Sequence, residues 1–213
     1  MQTNSSETLH IAVAGNIGAG KTTLVKLLAE HYKWEVHLES VDDNPYLADF
    51  YHDMKRWAFP LQMYFLNSRF NQIVAFQSHN QSVIQDRTIY EDAYIFAKNL
   101  TDSGLLSPRD YQTYYNVFKS LCRMISAPHL LIYLKASVHK LVEQIAKRGR
   151  DYENNISIKY LRDLNKHYGS WIADYKEGDL LVIDVDDLDY LNRPEDLIFI
   201  VEKINQKIGK PVS

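Results

Sequence analysis

Eight consecutive residues near the start of the chain constrain its fold more than any other feature: Gly15-Asn16-Ile17-Gly18-Ala19-Gly20-Lys21-Thr22. They follow a short apolar run, residues 9–14, and precede a helical pattern through Leu24, Leu27 and Leu28. Glycine, four residues, glycine, lysine, then a hydroxyl residue is the P-loop pattern. Each residue type in it has a physical reason. Glycines let backbone N–H groups turn inward without Cβ clashes, and the helix N-terminus adds the positive end of its dipole. Together they make a cradle for phosphate, expected over residues 15–23 with Thr23 included. Lys21 is placed to neutralise β- and γ-phosphates, and the Thr22 hydroxyl to ligate Mg²⁺.

The rest of the chain alternates short apolar strands with amphipathic helices. Further strands are expected at 34–38, 82–85, 129–134 and 180–185. Helices are expected at 45–53, 59–78, 92–100, 108–125, 138–147, 158–175 and 194–208. Such alternation predicts an α/β fold, a five-stranded parallel sheet covered by helices on both faces. Pro108 and Pro194 stand where helix starts tolerate proline. The stretches 101–107 and 149–156 read as exposed and irregular. At 213 residues the chain suits one domain with a modest lid.

A net charge of −3 argues against a broad nucleic-acid surface. No run approaches the roughly 18 apolar residues of a membrane span. The polar N-terminus carries neither a signal-peptide nor a transit-peptide pattern. The lone Cys122 cannot close an internal disulfide and is expected at a half-buried helix position. A soluble, cytoplasmic protein without nucleic-acid or membrane partners is expected.

Four features narrow the class. Glu39 follows the second strand, so it faces the ligand crevice at the C-terminal strand ends as a base or positioner for an attacking hydroxyl. Asp86-Arg87 ends the third strand at the same crevice, Asp86 suited to Mg²⁺ and Arg87 to the acceptor or the moving phosphate. Lys147-Arg148-Gly149-Arg150-Asp151-Tyr152-Glu153 places three cations around a glycine between two helices, the composition of a lid closing over polyphosphate. Gln62 and Arg69, seven apart, share one face of an otherwise apolar helix and need polar partners such as a planar base.

With these motifs in this order, the chain resembles the deoxynucleoside kinases from about residue 11 to 196. The resemblance implies a P-loop kinase fold with an Arg-rich lid, spanning residues 147–156. It implies transfer of the ATP γ-phosphate, with Mg²⁺, to the 5′-hydroxyl of a deoxynucleoside, a step of nucleotide salvage. It makes Glu39 the acceptor of the 5′-hydroxyl proton, with Arg87 and Lys21 the other catalytic residues. Tyr51 and Glu153 fall at the sugar 3′-hydroxyl, and Gln62, Arg69 and Asp92 at the base. Arg148 and Arg150 are the lid arginines, and the segment from Asp184 to Asp189, with Asp184 and Asp186, resembles the loop against the donor adenine. Asp86 stands where a glutamate is usual. Gln144 replaces an arginine that many relatives carry, which is expected to remove one phosphate contact. The aromatic helix 108–125, with Tyr111, Tyr114, Tyr115 and Phe118, matches the one that pairs two copies in a homodimer, although ordinary internal packing also accounts for it.

The Asp-Arg form and compact length look most like the bacterial deoxyadenosine and deoxyguanosine kinases. Asp92 with Arg69 makes a charged edge suited to an exocyclic amine, hence to adenine, guanine or cytosine over thymine. Deoxyadenosine is the preferred substrate, with deoxyguanosine and deoxycytidine open. From other classes, a thymidylate-type monophosphate kinase would need an acceptor phosphate where Glu39 would repel it. A non-catalytic P-loop module would have no use for Glu39 and the arginine-rich lid.

Overall fold

The computed structural model describes residues 8–39, 44–79, 81–150, 153 and 156–209. Among these, five strands form one parallel sheet in the order β2-β3-β1-β4-β5. They are β1 (His10–Gly15), β2 (Glu35–His37), β3 (Val83–Asp86), β4 (Leu130–Lys135) and β5 (Asp179–Asp184). β1 lies at the centre and is buried along its whole length. Its side chains alternate between two cores. Ala12 and Ala14 face a core with Leu66, Ile73, Phe76, Tyr114 and Tyr168, whereas Ile11 and Val13 face one with Leu24, Leu28, Leu141 and Ile200. Both faces of the sheet are therefore covered, as the near-continuous apolar strands require.

Helix α1 (Lys21–Tyr32) leaves the P-loop directly. Helix α2 (Leu47–His52) is followed by α3 (Met54–Gln77), which begins more than a turn earlier than expected. Asp53 caps α3 by accepting from the Arg56 backbone N–H, and Pro60 is carried inside the helix. The expected start at residue 59 lay five residues after the observed one. The side-chain cap starts the helix upstream instead.

Helix α4 (Ile89–Glu91) runs through a π-helical turn (Asp92–Ala97) into α5 (Lys98–Asp102). The remaining helices are α6 (Pro108–Cys122), α7 (Val138–Arg148), α8 (Ile158–Ala173) and α9 (Pro194–Ile208). On α6, Tyr114 and Phe118 are buried within the chain, and Tyr111 and Tyr115 are partly buried against the same core. Cys122 is half-buried at the end of α6, as expected. No helix among the described residues is long and apolar enough to cross a membrane.

Candidate active site

All strands being parallel, their C-terminal ends lie along one edge of the sheet, and the sequence places its polar motifs there. A cavity of about 210 Å³ opens at this edge. Its lining includes Ile17, Gly18, Lys21 and Thr22 from the P-loop, Glu39 after β2, Asp86 and Arg87 after β3, and Tyr51, Gln62 and Asp92. Arg148, Arg150 and Glu153 from the expected lid complete it. Asp151, Tyr152, Asn154 and Asn155 of that lid lie outside the described residues.

The P-loop is braced on two sides. Asn16 turns away from the cradle and donates Nδ2 to the Leu161 carbonyl at 2.9 Å and to Asn165 Oδ1 at 2.7 Å. Lys21 Nζ donates to the Asn16 carbonyl at 3.0 Å. Gly20 has φ +89°, and a Cβ there would meet Tyr190 Oη at 2.0 Å. Only glycine satisfies both the left-handed backbone and that contact. Ala19, Gly20 and Thr23 line a second cavity of about 160 Å³ behind the loop, with Leu188, Asp189 and Tyr190.

Asp184 and Asp186, expected at the donor base, are engaged elsewhere. Asp184 pairs with Lys135 at 3.2 Å, and Asp186 accepts from the Ser137 N–H at 2.8 Å. The rear cavity is lined by Val185, which lies between them, and by Leu188 to Leu191. The Asp184 and Asp186 side chains reach instead to β4 and to the start of α7.

Glu39 is the electrostatic centre. Its Oε1 lies 3.0 Å from Arg69 Nη2 and 3.0 Å from Arg87 Nε. Burial pushes the Glu39 carboxyl up, but Arg87, then Arg69 and Lys21, pull harder and hold it at about 2. Burial lowers Lys21 to about 8, helped by Arg87 and opposed by Asp86, Glu91 and Glu39. Thr22 Oγ1 donates to Asp86 Oδ2 at 2.5 Å. The other oxygen, Asp86 Oδ1, is buried with no hydrogen-bond partner.

Arg69, expected in contact with the base, is absent from the cavity lining and stands behind its wall, 2% exposed. It forks Asp92, with Nε–Oδ2 at 2.8 Å and Nη2–Oδ1 at 3.4 Å. Its Nη1 donates to the carbonyls of Asp86 and Arg87 at 3.2 and 3.3 Å. The reason is the length of the side chain. From its position on α3, the guanidinium crosses to β3 and ties the motifs together. Burial, helped by the like charge of Glu39, raises Asp92 to about 6 against the pull of Arg69 and Arg87. Gln62 lines the cavity, and its buried Oε1 has no hydrogen-bond partner.

In the segment expected to be a lid, Glu153 holds both arginines: Arg148 donates Nε at 3.0 Å, and Arg150 Nη1 lies at 3.7 Å. Leu47, Phe50, Phe65, Phe96 and Tyr160 also line the cavity and were not singled out in the sequence. Apolar and aromatic residues at helical spacing read as ordinary core, so nothing in the pattern separates them. Glu91, fully buried behind the P-loop, carried one legible sign: Thr88-Ile89-Tyr90-Glu91 is a capping-box pattern, and the box is formed.

An open parallel sheet, a P-loop on its central strand and a carboxylate–arginine cluster in the adjoining crevice define a P-loop phosphotransferase. A profile of the deoxynucleoside kinase family matches residues 11–209, and the chain belongs to that family. It is 39% identical over 196 residues to a deoxyadenosine/deoxycytidine kinase of Bacillus subtilis, covering 91% of this chain and 90% of that one. It is 37% identical over 209 residues to a deoxyguanosine kinase of Lactobacillus johnsonii, covering 94% and 91%. Its fold superposes with TM-score 0.82 on a deoxyadenosine kinase from M. mycoides solved with dCMP and a flexible dCDP. That pair is 31% identical, and the match covers 93% of this chain and all of the other.

Proposed function

We propose that this ATP-dependent deoxynucleoside kinase phosphorylates the 5′-hydroxyl of deoxyadenosine, with Glu39 as the proton acceptor. The observation that carries the reading is the convergence of Arg69 and Arg87 on an ionised Glu39 that lines one cavity together with Gln62 and Asp92.

Glu39 accepts a hydrogen bond from the 5′-hydroxyl and takes its proton as the oxygen bonds to the γ-phosphorus and the bridge to the β-phosphate breaks. A carboxylate held near 2 is a weak base, which suits a loose transition state in which positioning counts more than early deprotonation. Lys21 and Arg87 stabilise charge on the γ-phosphoryl oxygens, joined by Arg148 and Arg150 when Glu153 turns to the sugar 3′-hydroxyl beside Tyr51. Thr22 and the unpartnered Asp86 Oδ1 are hard oxygen donors that fit Mg²⁺. These two residues would hold the ion, which when bound neutralises phosphate charge.

Asp92 and Gln62 supply acceptors for an exocyclic amine, which favours adenine, guanine or cytosine over thymine. Deoxyadenosine is preferred because two relatives named for it are 39% and 45% identical, against 37% for the Lactobacillus johnsonii deoxyguanosine kinase. Deoxyguanosine and deoxycytidine are the other arms of the test. The same reading includes a homodimer in the cytoplasm, with the outer edge of α6 facing a second copy.

The test is ADP production from MgATP with each of the four deoxynucleosides and each monophosphate. Turnover with deoxyadenosine and little with any monophosphate is the expected result. Turnover restricted to a monophosphate would mean that Glu39 does not face a hydroxyl.

A further inference from the structure

Behind the cavity lie two buried polar side chains, Glu91 and Tyr168, that the reaction just described does not use. Glu91 and Tyr168 are both fully buried, and Arg87 is 4% exposed. Glu91 Oε1 lies 2.7 Å from Tyr168 Oη, 3.4 Å from Arg87 Nη1 and 3.3 Å from the Gly15 backbone N, which donates to it. Tyr168 Oη accepts from Arg87 Nη1 at 3.0 Å and lies 2.8 Å from the Gly15 carbonyl. Both backbone groups of the first P-loop glycine are thus held by one carboxylate and one phenol. The same two side chains hold the rear edge of the Arg87 guanidinium.

Two further facts raise what rests on this cluster. Arg87 has φ +70°, a left-handed backbone that is strained for a non-glycine residue and persists only where its surroundings impose it. Its front edge, Nε, faces Glu39 at 3.0 Å, and its face lies 4.5 Å from the Phe96 ring. When a hydroxyl engages Glu39, the front contact of Arg87 is contested, while the rear contacts to Glu91 and Tyr168 stay. Tyr168 stands on α8, the helix that follows the lid and also receives Asn16 through Leu161 and Asn165. One helix therefore meets the P-loop at both Gly15 and Asn16.

We infer that Glu91 and Tyr168 are positioning residues for phosphoryl transfer, holding Arg87 and Gly15 in register with each other. The inference rests on Arg87 acting at the transferring phosphate, as set out above. Neither side chain lines the cavity, so both act through Arg87 and the loop. A displacement of about 1 Å at such a group costs on the order of 100-fold in rate.

Tyr168→Phe deletes only the hydroxyl and keeps the ring, which stacks on Tyr133 at 5.5 Å. Glu91→Gln keeps the capping box, which glutamine also completes, and removes the charge behind Arg87. Wild-type turnover with a deoxynucleoside tests the kinase reading itself, so failure there is distinct from failure here. With that activity in hand, each variant is expected to lose about 10- to 100-fold in kcat. KM for ATP and for the nucleoside should move less than about 3-fold, and the double variant should be no worse than the poorer single one, as for residues acting as a unit. An unchanged kcat in Tyr168→Phe would overturn the inference. So would losses that multiply in the double variant, or a fall in kcat accounted for by the unfolded fraction in a thermal melt.

Discussion

Arg69 and Arg87 both reach one oxygen, Glu39 Oε1, at 3.0 Å each. The Arg69 side chain also holds the Arg87 backbone, its Nη1 donating to the Arg87 carbonyl at 3.3 Å. The group assigned to the proton, the group assigned to the phosphate and the arginine behind the base pocket therefore form one body. A change at any of them is felt at the other two.

Replacing Glu39 by glutamine leaves a side chain of the same shape that cannot take a proton. Turnover should fall by about 10²- to 10⁴-fold, the range for removing a positioned general base. ATP affinity, measured by equilibrium titration without nucleoside, should stay within about 3-fold of wild type. Wild-type turnover in this variant would remove Glu39 from the mechanism.

The activity profile against pH separates two of these groups. Glu39, held at about 2, stays ionised over the working range. Asp92, raised to about 6, gains its charge only as pH climbs through that value. At saturating ATP, kcat/KM for the nucleoside should rise through about pH 6, and Asp92→Asn should abolish that limb. On the alkaline side Lys21, at about 8 in the free protein, loses its charge as pH rises. There kcat/KM for ATP should fall, while kcat, which reports the complex with charged phosphates, holds to higher pH.

Arg69→Met would leave Asp92 buried without its partner. Breaking one side of a buried pair costs about 3–5 kcal/mol. The sign with pH follows from the direction of the Asp92 shift. A carboxyl whose folded pKa lies above its unfolded value loses stability as pH rises through the folded value. The loss in urea denaturation should therefore be larger at pH 8 than at pH 5. Adding Asp92→Leu should restore most of it, and equal losses at both pH values would mean that Asp92 does not carry the cost.

Much of this arrangement was legible before any coordinates, for a local reason. The P-loop, Glu39 and Asp86-Arg87 are short motifs at strand ends, and in a parallel sheet the C-terminal ends lie on one edge by construction. Finding the ends was therefore enough to assemble the cavity. The start of α3 shows where local reading fails, because the cap at Asp53 lies upstream of the apolar pattern that marked the helix. The neighbours of Asp184 and Asp186 were not legible either: they meet Lys135 and the Ser137 N–H, contacts that a motif along the chain does not record.

The amino-acid order by itself determined the alternation of strands and helices, the phosphate cradle and which charged residues gather at the crevice, because each depends on residue type and on neighbours a few positions away. Only the tertiary structure decided that Arg69 stands behind the wall and not in it, and that Phe65, Phe96 and Tyr160 line the cavity while similar aromatics fill the core. The same holds for the join of Glu91 and Tyr168, 77 residues apart, at Gly15. Those contacts depend on which helix faces fold over the sheet, and no local pattern records where a long side chain ends once the helices have packed.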